Sequence, residues 1–107
     1  MKKKYRLQKS WEFDAVIKTG KQLVNSYLIM YYESAPNFKI GITVPKKFCN
    51  AVKRNYYKRQ VKAILHSLGI YNLNFHFVLI LRKSFLNLNF QSKHNTTKKL
   101  FNKFHEK

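Results

Sequence analysis

A chain of 107 residues with 45% apolar side chains is long enough for one domain, residues 1–107, with a modest core and no staples. Its 22 Lys and Arg against 4 Asp and Glu give a formal charge of +18, which opposes compaction and points to a polyanionic partner. The single cysteine, Cys49, excludes an internal disulfide and a multi-cysteine zinc site and suits a reducing compartment. After the basic start MKKKYRLQKSWEF there is no apolar run of signal-peptide length, and no segment approaches the roughly 20 apolar residues that span a bilayer, so the expected location is cytoplasmic with no membrane contact.

Residues 1–9 carry five basic groups without apolar patterning and read as a mobile basic arm. Ser10 is the expected N-cap of a short helix, with Glu12 and Asp14 in its first turn, Phe13, Val16 and Ile17 at i, i+3 and i+4, and Gly20 as the stop. LVNSYLIMYYE, residues 23–33, is β-branched and aromatic and reads as one strand. Its alternation sends Tyr27, Ile29 and Tyr31 to one face and Leu28, Met30 and Tyr32 to the other. SAPN is a turn signal, and FKIGITVP then alternates with Phe38, Ile40, Ile42 and Val44 inward and Lys39, Gly41 and Thr43 outward. The two runs are expected to pair as an antiparallel hairpin.

Pro45 closes that strand, and KKFCN leads into a second helix within NAVKRNYYKRQVKAIL. Tyr57, Val61, Ile64, Leu65 and Leu68 form its apolar stripe, Asn55, Lys58, Arg59, Lys62 and His66 gather on another arc, and Gly69 ends it. FHFVLIL, residues 75–81, is nearly continuous and reads as a central strand buried on both faces. The LNLNF-like segments after Lys83 carry no clear period, and Leu100, Phe101 and Phe104 mark a final helix from about Thr96.

Two constellations stand out. Lys53, Arg54, Lys58, Arg59 and Lys62 crowd one helix, and no acid lies between Asn50 and Leu81 to compensate them at helical spacing. A solvated face is the ordinary reading of a lysine run. Here the uncompensated repulsion favours an RNA or DNA backbone, whose phosphates would relieve it with release of counterions. Two of the four arginines, whose planar fork binds phosphate bidentately, fall in this stretch. Most of the aromatic residues will fill the core, but Tyr27 and Tyr31 share a strand face near Phe13, and that face, if open, is a stacking platform for single-stranded bases. Catalytic signatures are nearly absent. Glu12, Asp14, Glu33 and Glu106 form no paired-carboxylate motif, His66, His76, His94 and His105 have no metal-ligand spacing, and Cys49 has no nucleophile motif. The expectation is no catalytic residue and no metal site on the chain itself.

The order of parts resembles the protein subunit of bacterial ribonuclease P over nearly the whole chain. KIGITVPKKFCNAVKRNYYKRQVK carries the resemblance most specifically, with the strand, the paired lysines and the signature helix; YRLQKSWEFDAVIKTGK, YLIMYY and FVLILRKS match more weakly. Three positions depart from the family pattern: Cys49 stands where glycine is usual, Tyr56 where a second arginine is common, and Ile17 where an aromatic residue is frequent. The resemblance implies an α+β fold, a single-domain α/β sandwich of about four mainly antiparallel strands and three helices with a left-handed crossover. It also implies that a catalytic RNA with bound magnesium hydrolyses precursor transfer RNA at its mature 5′ end, with no obligate protein partner. Lys53, Arg54, Asn55, Lys58, Arg59 and Lys62 would bind the RNA subunit, and Phe13, Tyr27, Tyr31, Lys46, Lys47 and Asn50 would bind the 5′ leader. A small ribosomal protein, which binds RNA without enzymatic work, fits the same composition.

Overall fold

The structure is a computed structural model and describes residues 1–106. Four strands, β1 (Gln22–Val24), β2 (Leu28–Ser34), β3 (Lys39–Thr43) and β4 (Phe75–Leu81), form one sheet in the order β1-β2-β4-β3. Helix α1 (Ser10–Lys18) covers one face of the sheet. Helices α2 (Ala51–Leu68) and α4 (Phe90–His105) lie on the other side, and a single turn, α3 (Lys83–Leu86), follows β4.

The central strand is the continuous apolar run. Phe77, Leu79 and Leu81 of β4 are fully buried with Leu28, Met30 and Ile40 against α2 and α4, while Val78 is buried on the opposite face with Val16 and Leu7. Phe77 meets the rings of Phe101 and Phe104 edge-on at 5.4 and 5.2 Å, a geometry that adds to the gain from burial alone. The inward set Phe38, Ile40, Ile42 and Val44 is buried as its alternation requires.

The expected antiparallel hairpin between the first two runs does not form. The Asn25 side chain accepts hydrogen bonds from Tyr27 N and Leu28 N, both at 2.8 Å, an Asx turn that breaks the first run into β1 and β2. These fold back on one another antiparallel, in register Leu23 with Met30. With one edge of β2 filled by β1, its other edge takes β4 antiparallel. The SAPN segment passes the end of β4, where Ala35 N donates to Asn74 O at 3.0 Å, and delivers β3 to the far side. There β3 pairs with β4 in parallel, and α2 makes the crossover between them.

Three helix boundaries also differ from the expected ones or sharpen them. Lys9 rather than Ser10 sits at the cap of α1, because the Glu12 carboxylate reaches back to accept from Lys9 N at 3.0 Å and Gln8 N at 3.3 Å. Asn50 caps α2 by accepting from Lys53 N at 2.9 Å, and Gly69 ends it in the left-handed region at φ 64°. Helix α4 begins at Phe90, well before Thr96, under the Asn89 cap, which accepts from Ser92 N at 2.8 Å. The stretch expected as a mobile arm lies against β3: Tyr5 stacks on Tyr71 at 4.5 Å, Leu7 is buried, and Leu7 N donates to Ile40 O at 3.1 Å.

Helix α1 approaches the sheet closely only because residue 41 is glycine. A Cβ there would fall inside the Phe13 ring. Gly41→Ala is therefore expected to destabilise the fold by roughly 1–3 kcal/mol through overpacking. Urea unfolding checks this, and adding Phe13→Leu should recover much of the loss. Unchanged stability in the single variant would show that α1 is not held at this distance.

Candidate nucleic-acid interface

The cap at Asn50 and the apolar stripe of Val61, Ile64 and Leu65, all fully buried, fix the rotation of α2. The remaining arc must then face outward. Asn55, Lys58, Arg59 and Lys62 come together there with Val52 around an open groove of about 460 Å³. Lys53 is exposed on a different part of the helix surface. Arg54 turns back, and its Nη1 donates to Cys49 O at 3.0 Å, so its fork holds the turn into α2. Among the described residues the one ion pair lies elsewhere, between Lys39 and Glu12 at 3.8 Å. Lys62 is half-buried, and burial first, then the neighbouring charges of Arg6 and Lys58, hold its ammonium below the usual lysine range.

Arg6 extends this cationic surface to the other side of β3. With Phe13, Gly41, Lys58 and Lys62 it lines a second groove of about 270 Å³ between α1, the N-terminal segment and α2. Its Nε is buried without a hydrogen-bond partner. Arg6 stands in the stretch expected as a mobile arm, and its being an arginine in a chain that otherwise uses lysine is the signal in the sequence that marks it.

The face of the sheet under α1 is built in rows set by the strand register. Glu33, His76 and Lys39 make one row, Tyr31, Val78 and Gly41 the next, and Ile29, Ile80 and Thr43 the third. Helix α1 seals the middle row, with Phe13 over Gly41 and Val16 packed with Val78, and leaves Tyr31 half-buried at its edge. In the first row burial is the main cause, and the Lys39 charge the next, that holds the His76 imidazole below its ordinary value, against the opposing pull of Glu33 and Glu12. Ile29 and Ile80 of the third row stay half-open as the floor of a cleft of about 400 Å³ whose walls include Lys47, Phe48, Arg82 and Lys83.

The expected leader-binding residues separate on this map. Phe13 and Tyr31 pack in one cluster beneath α1, and Lys47 stands on the wall of the open cleft with its ammonium 5.5 Å from the Phe48 ring. Lys46 is exposed on the same 3-10 turn but does not line the cleft, and the Asn50 side-chain oxygen is occupied in capping α2. Tyr27 is not with Tyr31. It lies in the bend after the Asn25 turn and lines a cavity of about 520 Å³ against α4, with Thr96, Lys99 and Lys103. Ile29, Ile80 and Arg82 were not expected in the site. Their place is set by the pairing of β2 with β4, which the hairpin reading did not contain.

A small α+β domain of charge +18 whose cations line one helix face and an adjoining sheet cleft, with the described acids paired or placed elsewhere, is of the class that binds polyanions. The family model described as Ribonuclease P matches residues 1–105. The chain is 54% identical over 104 residues to the ribonuclease P protein component of Mycoplasmopsis synoviae, covering 97% of this chain and 93% of that one. It is 50% identical over 100 residues to that of Mycoplasma mobile, covering 94% and 89%. Among solved structures, the RNase P protein of Staphylococcus aureus superposes with a TM-score of 0.83 at 25% identity over 92% of this chain and 93% of that one. The Thermotoga maritima RNase P protein gives 0.75 at 28% identity over 88% and 96%. The chain belongs to the bacterial ribonuclease P protein family, the protein subunits of the ribonucleoprotein endonuclease that processes the 5′ end of precursor transfer RNA.

Proposed function

We propose that the two cationic surfaces divide the work of this subunit: the outer arc of α2 binds the catalytic RNA, and the open cleft beside α1, floored by Ile29 and Ile80, holds the 5′ leader of the precursor. The observation that carries the first assignment is the gathering of Asn55, Lys58, Arg59 and Lys62 around one groove with no ion pair to any of them among the described residues. Phosphates placed there relieve the repulsion among the cations and give up their own counterions. Lys53 flanks the array, and Arg54 serves it by fixing the helix entry. The leader runs over Tyr31 and the Ile29–Ile80 floor, beside Phe13, with Lys47 and Arg82 meeting its phosphates; Lys46 and Asn50 border this path. Bases stack on the rings, which accept any sequence, and the lysines follow the backbone.

No three His, Cys, Asp or Glu side chains gather as possible metal ligands among the described residues. The reading assigns magnesium to the RNA subunit and to the protein the task of bringing two polyanions together, in the cytoplasm. There the cations offset repulsion between substrate and catalyst, most strongly at low ionic strength. No helix among the described residues is long and apolar enough to cross a membrane.

Replacing Arg59 and Lys62 together by alanine should weaken binding of the RNA subunit and reduce the slope of log K against log salt by somewhat under one for each phosphate left without its cation. Titrations from low to moderate salt measure it, and an unchanged slope would remove α2 from the interface. Tyr31→Ala should lower affinity for precursor transfer RNA by about one stacking interaction, on the order of 1–3 kcal/mol, while binding of mature transfer RNA hardly changes. Equal losses for the two substrates would reduce Tyr31 to a packing residue.

A further inference from the structure

One aromatic ring on α2 belongs neither to the core nor to the phosphate contacts assigned above. Tyr56 is 47% exposed, one helical turn after Val52, which is 77% exposed, and one turn before Arg59. Val52, Tyr56 and Ala63 follow one line of the helix surface with Arg59 among them, and Val52 and Arg59 also line the cationic groove. A large exposed ring on a solvated helix ordinarily moves among rotamers. This one is tied down: Gln60 Nε2 donates to its hydroxyl at 3.1 Å, and the ring of Tyr57 meets it edge-on at 5.4 Å.

Both restraints lead to the same buried cation. Lys93 of α4 is 3% exposed, and its Nζ donates to Gln60 Oε1 at 2.7 Å. The same ammonium lies 4.8 Å from the centroid of Tyr57 and 5.8 Å from that of Phe85. Burial holds it below the usual lysine range, and no acid pairs with it among the described residues. Burying a charge is unfavourable unless it is well bonded, and a methionine would fill this volume without that cost. What the ammonium does that methionine cannot is orient the Gln60 amide, so that the amide nitrogen is presented to Tyr56, and attract the face of Tyr57.

We propose that Tyr56 is a preorganised platform on which an unpaired base of the RNA subunit stacks, and that Lys93 is a positioning residue that holds it through Gln60 and Tyr57. The proposal rests on the reading of α2 as the surface that faces the catalytic RNA. Beside Arg59 and Lys62, which would take phosphates, Tyr56 adds a contact that does not depend on charge. An ordered ring loses less freedom on binding than a mobile one, which is the advantage of fixing it beforehand.

The test uses the full chain and its cognate RNase P RNA, with affinity measured across salt for Tyr56→Ala, Tyr56→Phe, Lys93→Met, the double variant Tyr56→Ala with Lys93→Met, and Arg59→Ala, at a temperature where circular dichroism shows each folded. Tyr56→Ala should weaken binding roughly five- to hundred-fold with the salt slope unchanged, because a stacked base releases no counterion. Tyr56→Phe keeps the stacking face but loses the Gln60 bond, so it should weaken binding no more than Lys93→Met does and far less than Tyr56→Ala. Lys93→Met should weaken binding several-fold when Tyr56 is present and have no further effect when it is alanine, a coupling that a general packing defect would not give. Wild-type affinity for Tyr56→Ala, an equal loss in Tyr56→Phe, or the same Lys93 effect in both backgrounds would overturn the proposal. Arg59→Ala separates it from the reading beneath: an unchanged slope there removes α2 from the interface and the platform with it. A reduced slope together with intact Tyr56→Ala binding removes the platform alone.

Discussion

Repulsion among Arg6, Lys58 and Lys62 is the constraint around which this molecule is arranged. These three groups line one groove between α1 and α2, and none has an ion pair among the described residues. Like charges held close together in a folded protein lower its stability, and the effect is greatest where burial removes the screening of water. The fold tolerates it because its stability is generated elsewhere. An aromatic and aliphatic core joins β4 to α2 and α4, and a smaller cluster under α1 seals the other face. Lys58 and Lys62 sit on an arc of α2 whose rotation is fixed by Val61, Ile64 and Leu65, and Arg6 faces them from the N-terminal segment bridged to Ile40. Their crowding makes physical sense in the bound state, where a polyphosphate lies against them.

The way the strands connect is what turns a cationic helix into a two-sided site. Because the Asn25 turn gives β2 a partner on one edge, β4 takes the other, and β3 is carried beyond it. The parallel pairing of β3 with β4 then obliges the chain to return by way of α2, over the core face. As a result Lys58 and Lys62 stand across β3 from Phe13 and Arg6. Had the expected hairpin formed, β3 would lie beside β2, and the Ile29–Ile80 pairing that floors the open cleft would not exist.

Local patterns were therefore legible in the sequence, and pairings only in part. The alternation in FKIGITVP, the nearly continuous FHFVLIL, and the Asn50 and Gly69 caps of α2 each depend on neighbours in the chain. The early start of α4 was hidden because its buried line runs through Lys93 and Thr97 before reaching Leu100, Phe101 and Phe104, and two polar members interrupt the apolar period. Tyr27 was grouped with Tyr31 because simple alternation assumes an unbroken strand, and the Asx turn at Asn25 breaks it. The place of Arg6 was not legible, because the bridge that lays it along Ile40 is a long-range pairing; the sequence marked it only by its being one of four arginines. The cation array on α2 was legible as a group, except that Arg54 turns inward to Cys49, which helical spacing alone does not reveal.

That the groove between α1 and α2 carries charge at the expense of the free protein can be tested on one residue. The Lys62 ammonium is held below its usual range by burial, Arg6 and Lys58, so its charged form disfavours the folded state at neutral pH. The cost is fully present below the folded-state pKa and disappears as pH rises from there through the unfolded-state value. The unfolding free energy of Lys62→Met, measured beside the unaltered chain at low salt and neutral pH, should be higher, although the same substitution weakens RNA binding. The difference should shrink at high salt and at alkaline pH. A variant less stable than the unaltered chain at low salt would contradict the account, because Lys62 would then be stabilising the free protein and its crowding would need no partner to explain it.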